Sequence, residues 1–135
     1  MKGTIVSAWV RTSKTLFGED LVNEALTHHG IDPHKVFTPS EDIEDTKALG
    51  FVDYIADNVG KSPSEVWRQI GIGNIETFSK DYPAFFRYKN LYSFLKSMYD
   101  IHVVVTNRIP GAKPPILNVK PLEQNKALMS YYSPR

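Results

Sequence analysis

One stretch limits the fold more than any other: LYSFLKSMYDIHVVVTNRIPGAKPP, residues 91–115. Wound at about 100° per residue, residues 91–105 place Leu91, Leu95, Met98, His102 and Val105 within about 40° of one line, with Phe94 beside it. The spacing predicts a helix that turns this stripe inward and stops at Pro110–Gly111. Ile101 and Val103 to Thr106 are β-branched and would also suit a strand, but the stripe runs unbroken back to Leu91 and favours the helix. An imidazole at the centre of such a stripe needs partners, because an unpaired polar group in a dry core costs about 1–3 kcal/mol. Two roles meet that need. One is a core histidine that donates to a backbone carbonyl; the other is an axial ligand to a large apolar cofactor.

Composition narrows the choice. At 135 residues the chain is long enough for one domain with a real core. A net charge of +1 gives no basic footprint for nucleic acid. The absence of cysteine removes disulfides, thiolate zinc sites, iron–sulfur clusters and covalent haem attachment together, and fits a reducing compartment. Residues 2–11 are too short and too interrupted for a signal peptide, and no apolar run reaches the length of a bilayer. These features predict a soluble cytoplasmic protein with no nucleic-acid partner and no membrane contact by this domain. No nucleophile–base pair or paired-carboxylate site is evident, so an enzyme is not expected.

In chain order, Ile5, Val6, Trp9, Val10 and Leu16 predict a helix over 4–17, closed by Gly18. A second helix is expected over Asp20–His29, with Leu21, Val22, Ala25 and Leu26 inward and Gly30 as its cap. Adjacent His28 and His29 point to different faces and do not suit a shared metal ion. Glu41, Asp42, Glu44 and Asp45 read as a solvated first helical turn. Leu49, Val52, Ile55 and Val59 continue that helix to Gly60. Ser62-Pro63-Ser64-Glu65 is a capping box that starts the next, which runs past Gly71-Ile72-Gly73 to Phe78. No strand precedes those glycines and no GKS or GKT follows, so close packing or a kink explains them better than a phosphate loop. Tyr82-Pro83 opens a short helix with Phe85 and Phe86 inside, ending near Asn90. After Pro114-Pro115, residues 116–120 and 127–132 read as two strands around a polar turn at 123–126. The order predicts an α+β fold: an N-terminal helical subdomain of about six to seven helices, then the start of an antiparallel sheet.

At the end of the chain, Tyr131, Ser133 and Arg135 fall on one face of an extended run. A phenol, a hydroxyl and a guanidinium so aligned suit a carboxylate. They suit equally a polar strand face that meets solvent. An apolar slot with an axial histidine, joined to donors for two acidic side groups, is what a haem needs.

The sequence resembles the haem–nitric oxide/oxygen binding (H-NOX, or HNOB) domain family. The resemblance rests on Met1-Lys2-Gly3-Thr4-Ile5-Val6, on the Trp67–Phe78 segment WRQIGIGNIETF, and on Asp100 and His102. Ile109-Pro110-Gly111-Ala112, Pro114-Pro115 and the signature Tyr131-x-Ser133-x-Arg135 carry it to the end. It covers the whole chain in order, and implies a single haem-binding domain over 1–135. The family's domain runs on past the signature with further strands, so this one is expected to be incomplete at its C-terminus.

The resemblance implies haem b between the helical part and the sheet, with His102 as proximal iron ligand. It implies propionate contacts from Tyr131, Ser133 and Arg135, and porphyrin distortion by Ile5 and Pro115. Met98 lies on the same helix face as His102 and is assigned to the cofactor slot. Trp9, Asn74 and Phe78 match the distal pocket; in some members the positions of Trp9 and Asn74 support a tyrosine that holds O2, which would lie beyond Arg135. The function so implied is a gas sensor for NO, with O2 or CO as further ligands, that signals when the iron–histidine bond weakens and the domain moves. Its readers in the family are histidine kinases, cyclic-di-GMP enzymes or methyl-accepting chemotaxis proteins. Two rivals remain: a cofactor-free helical interaction module, and an oxygen carrier or haem enzyme.

Overall fold

Helix termini in the N-terminal half follow from local chemistry. The computed structural model describes all residues except Gln124, Pro134 and Arg135. It is α+β, with helices α1 Gly3–Phe17, α2 Glu19–His28, α3 Asp45–Val59, α4 Pro63–Asp81 and α5 Leu91–Thr106, a 3₁₀ turn at Pro83–Phe86, and strands β1 Ile116–Glu123 and β2 Lys126–Tyr132. Gly30 lies just past α2 at φ 67°. Its N–H donates to the Thr27 carbonyl at 3.0 Å and the Ile31 N–H to Leu26 at 2.9 Å, which caps the orphan carbonyls and drops Ile31 into the core. The capping box is formed as expected. Ser62 Oγ accepts from the Glu65 N–H at 3.3 Å, and Glu65 Oε2 accepts from the Ser62 N–H at 2.9 Å.

The chain divides into two compact units, Met1–Asp81 and Tyr82–Arg135. In the first, α1 to α4 enclose one apolar cluster that includes Val6, Val22, Leu26, Phe51, Ile55 and Ile70, all fully buried. Each such side chain contributes about 1.5–3 kcal/mol by leaving water. In the second unit β1 and β2 pair antiparallel, from Ile116 opposite Tyr132 to Glu123 opposite Lys126. Helix α5 packs on β1. Among the described residues none of the second unit is fully buried.

Three expectations fail. The acidic run is not a solvated helical turn: α3 begins only at Asp45, and the earlier carboxylates hold the N-terminus. Lys2 pairs with Asp42 at 3.0 Å, the Gly3 N–H donates to the Glu41 carbonyl at 3.0 Å, and the Met1 ammonium lies 2.7 Å from Asp45. Glu41 itself binds Lys35 at 2.9 Å, and that bond holds its carboxyl below the ordinary value. The segment after Tyr82 is a single 3₁₀ turn with no buried residue, so among the described residues the α-helices number five rather than six to seven. Leu49 lies outward; Ala48, Phe51, Val52, Ile55 and Ala56 form the inward face of α3.

Candidate functional site

The second unit carries the histidine. Asn90 caps α5, its Oδ1 accepting from the Ser93 N–H at 2.8 Å, and the helix then runs through the β-branched stretch to Thr106. A strand there would have broken the apolar stripe. The stripe is only partly buried, however. Leu91 is 71% exposed, whereas Phe94, Leu95, Met98, His102 and Val105 are half-buried; Val103 and Val104, off the stripe, are exposed. His102 is therefore only partly enclosed, and both of its candidate roles stay open on burial alone.

The imidazole is nonetheless fixed. Its Nδ1 lies 2.6 Å from the Met98 carbonyl oxygen, one helical turn back. A carbonyl can only accept, so Nδ1 carries a proton, and in the neutral ring it is Nε2 that keeps the lone pair. Metal-bound histidines are oriented in this way, by a second nitrogen that donates to a backbone carbonyl. Met98 thus meets the imidazole through its main chain, a contact that side-chain spacing did not reveal.

The hairpin supplies the next candidates. Tyr131 on β2 stands opposite Leu117 on β1. Directly opposed residues of an antiparallel ladder point to one face. Leu117 and Val119 are half-buried whereas Ile116, Asn118 and Lys120 are exposed, so this is the covered face of β1. Tyr131, 65% exposed, therefore projects from the side of the hairpin that β1 buries. Ser133 follows the strand two residues later and is half-buried; Arg135 lies outside the described residues. Pro115 directly precedes β1 and is half-buried.

In the first unit, Ile5 and Trp9 stand one turn apart on α1, and Asn74 and Phe78 one turn apart on α4, so each pair shares a helix face. Trp9 meets Trp67 edge-on, ring centres 4.7 Å apart at 74°. Asn74 is only 7% exposed, and its Oδ1 accepts from Thr12 Oγ1 at 2.7 Å. Thr12 also lies 2.9 Å from Thr77 Oγ1. Beside these groups, a surface groove of about 190 Å³ runs between α1 and α4. Its charges are paired, Arg11 with Asp81 and Lys80 with Glu76, so they neutralise one another.

Two residues were not singled out by the sequence. Thr12 continues the Ile5–Trp9 face at helical spacing, which is the signal that could have found it. Ile75 adjoins Asn74 in sequence and is 61% exposed, a single apolar side chain in the open. No helix among the described residues is long and apolar enough to cross a membrane.

The model of the Haem-NO-binding family (HNOB) matches residues 2–135. No curated protein matches the chain. Among solved structures, an oxygen-binding H-NOX domain related to soluble guanylate cyclases, in its oxygen complex, is 40% identical with a TM-score of 0.87, over 97% of this chain and 70% of that one. An H-NOX structure that addresses the molecular mechanism of H-NOX activation is 39% identical with a TM-score of 0.92, over 100% of this chain and 73% of the other. A mutant H-NOX of T. tengcongensis is 39% identical with a TM-score of 0.87, over 97% and 72%. A family match over nearly every residue, joined to likeness at this identity in fold and sequence alike, leaves one conclusion: the chain belongs to the H-NOX family of haem–NO-binding domains.

Proposed function

We propose that this chain is a haem-based gas sensor domain, spanning 1–135, in which His102 is the axial ligand. The observation that carries the reading is the haem–NO-binding family match over residues 2–135; the bond from His102 Nδ1 to the Met98 carbonyl, on a helix with no fully buried side chain, is compatible with it. The residues present fit the group. A neutral imidazole with a free Nε2 lone pair is an iron ligand, and the unburied apolar side chains of α5 are what a flat macrocycle would cover. Haem b is the form proposed, because no cysteine is available for covalent attachment. When bound, it supplies a coordination position for a diatomic gas, NO above all and O2 or CO besides.

The family resemblance assigns the work among the chain's own residues: Tyr131, Ser133 and Arg135 would hold the two propionates, Ile5 and Pro115 would press on the macrocycle, and Trp9, Asn74 and Phe78 would line the gas side. His102 would tether α5, which packs on β1 and, through Phe94, on Phe86. A helix held in this way would shift if the tether were lost, and a shift in a packed helix is a signal that a partner protein can read. The reader proposed is a histidine kinase, a cyclic-di-GMP enzyme or a methyl-accepting chemotaxis protein. The role is binding and signalling, without catalysis by this chain, in the cytoplasm.

The test is the ferrous absorption spectrum of the full chain, with and without NO. The parent is expected to take up haem and respond to NO. His102→Gly should lose the parent spectrum and regain it when free imidazole is added. A colourless parent, or a His102→Gly spectrum identical to the parent's, overturns the reading.

A further inference from the structure

We infer that Glu41 is a positioning residue: with Lys35 and Thr38 it fixes the first turn of α1, and so sets how closely Ile5 reaches the macrocycle. The inference rests on the role proposed above for Ile5, and it names the group that controls that role. Helix α1 has no cap of its own. Lys2 holds the N-cap position with no side-chain hydrogen bond, and the first turn carries no carboxylate. The orphan N–H groups there need acceptors from elsewhere in the chain. The Gly3 N–H finds one in the Glu41 carbonyl at 3.0 Å. Ile5 lies two residues further on, its N–H bound to the Lys2 carbonyl at 3.0 Å.

The acceptor is itself braced. Glu41 Oε1 accepts from the Thr38 N–H at 2.6 Å, and the Thr38 carbonyl accepts from the Glu41 N–H at 3.4 Å, which closes the turn 38–41 on itself. Glu41 Oε2 pairs with Lys35 at 2.9 Å, and the Glu41 side chain is only 22% exposed. Lys35 Nζ also lies 5.9 Å from the centre of the Phe37 ring, and Phe37 packs on the helical core. A carboxylate that accepts from an ammonium and from a backbone N–H makes two charge-assisted bonds, the strong kind. The turn is therefore a fixed stop tied to the core.

The start of α1 is fitted against that stop. Gly3 is buried, and a Cβ there would collide with the Thr38 carbonyl oxygen and lie 2.7 Å from Glu41 Cγ. Real Cβ atoms do not come so close, so only glycine lets the helix begin in contact with the turn. Two neighbouring ties keep the alignment. The Ile43 N–H donates to the Met1 carbonyl at 2.7 Å, and Lys2 bridges to Asp42. Val6 and Val10 lock the inner face of α1 in the core. A first turn released from Glu41 therefore tilts or frays ahead of Val6, and Ile5 moves with it.

The experiment uses the full chain and compares the parent with Ile5→Ala, Glu41→Ala, Glu41→Gln, Lys35→Met, Gly3→Ala and the double variant Glu41→Ala/Ile5→Ala. Without haem it reads the methyl resonance of Ile5. With haem it reads the iron reduction potential and the out-of-plane porphyrin bands of the Raman spectrum. Ile5→Ala is expected to shift the potential and the bands. Glu41→Ala should shift both in the same direction by a smaller amount, and should move the Ile5 methyl resonance in the haem-free chain. Glu41→Gln keeps an oxygen for the Thr38 N–H and should return all three readouts toward the parent. The double variant should match Ile5→Ala alone, because Glu41 acts through Ile5; a merely structural role would leave the two shifts additive. Gly3→Ala and Lys35→Met should reproduce Glu41→Ala, and decide the matter if Glu41→Ala does not fold. If Ile5→Ala moves the potential and the bands while Glu41→Ala, Gly3→Ala and Lys35→Met match the parent, or if the shifts add in the double variant, the positioning role is overturned. If Ile5→Ala itself matches the parent, or the parent takes up no haem, the underlying role of Ile5 is overturned and this inference with it.

Discussion

The imidazole of His102 has two nitrogens, and the fold commits one of them to the Met98 carbonyl. That single bond fixes the tautomer, and the tautomer decides whether the other nitrogen can bind a metal. A similar economy governs the start of α4, where Glu65 and Ser62 each satisfy the other's backbone N–H. The hydrogen bonds from Ser62 hold the Glu65 carboxyl below its ordinary value of 4.5. A depressed carboxyl contributes stability that is complete above the unfolded value and is lost as pH falls through the folded one. The thermal midpoint should therefore decline with acid below pH 4.5, and the decline should be shallower in Glu65→Gln, which has no charge to lose. Melting curves across that range provide the check; equal slopes in the two proteins would detach this cap from the acid response.

Helix α4 contains two glycines with opposite reasons to be there. At Gly71 a Cβ would meet nothing within 4 Å, whereas at Gly73 the Thr12 methyl blocks it at 2.6 Å. Alanine is favoured over glycine in a helix interior by about 0.8–1.0 kcal/mol. Gly71→Ala should therefore raise stability by up to about 1 kcal/mol. Gly73→Ala should lower it by about 1–3 kcal/mol, since a stiff, buried, β-branched neighbour has nowhere to go. Denaturant midpoints separate the two, and a stabilising Gly73→Ala would contradict the close approach of α1 and α4. The same helices mark what a sequence can tell. Where a helix starts or stops is written in short-range chemistry, in Ser62 with Glu65 and in Gly18, Gly30 and Gly60, and those ends were legible. What a face packs against is settled at long range. Nothing local tells that the carboxylates at 41–45 tie down Met1 and Lys2, or that the stripe from Leu91 to Val105 is only half-buried. The candidate site divides in the same way. The helix spacing singled out His102, but its Met98 partner and the Thr12–Asn74 bond depend on rotamers and on a residue pair 62 positions apart in sequence.

Across the whole molecule, burial is uneven. Every fully buried residue among those described belongs to Met1–Asp81, where four helices share one core. The second unit is a helix laid on a two-stranded hairpin, and such a hairpin is marginal unless it packs on something. Local opening free energies track this difference, since amides backed by few buried apolar contacts open at little cost. In the haem-free protein, hydrogen exchange should be slow in α1 and α3 and faster by orders of magnitude in α5 and the hairpin. Haem should slow exchange in α5 more than in α3, because a ligand that binds the folded form stabilises chiefly the elements it touches. Exchange measured by mass spectrometry on the full chain, with and without haem, resolves these segments. If α5 is as protected as α3 before any haem is added, its apolar side chains are already covered in solution. The physical case for a macrocycle against them would then lose its main support.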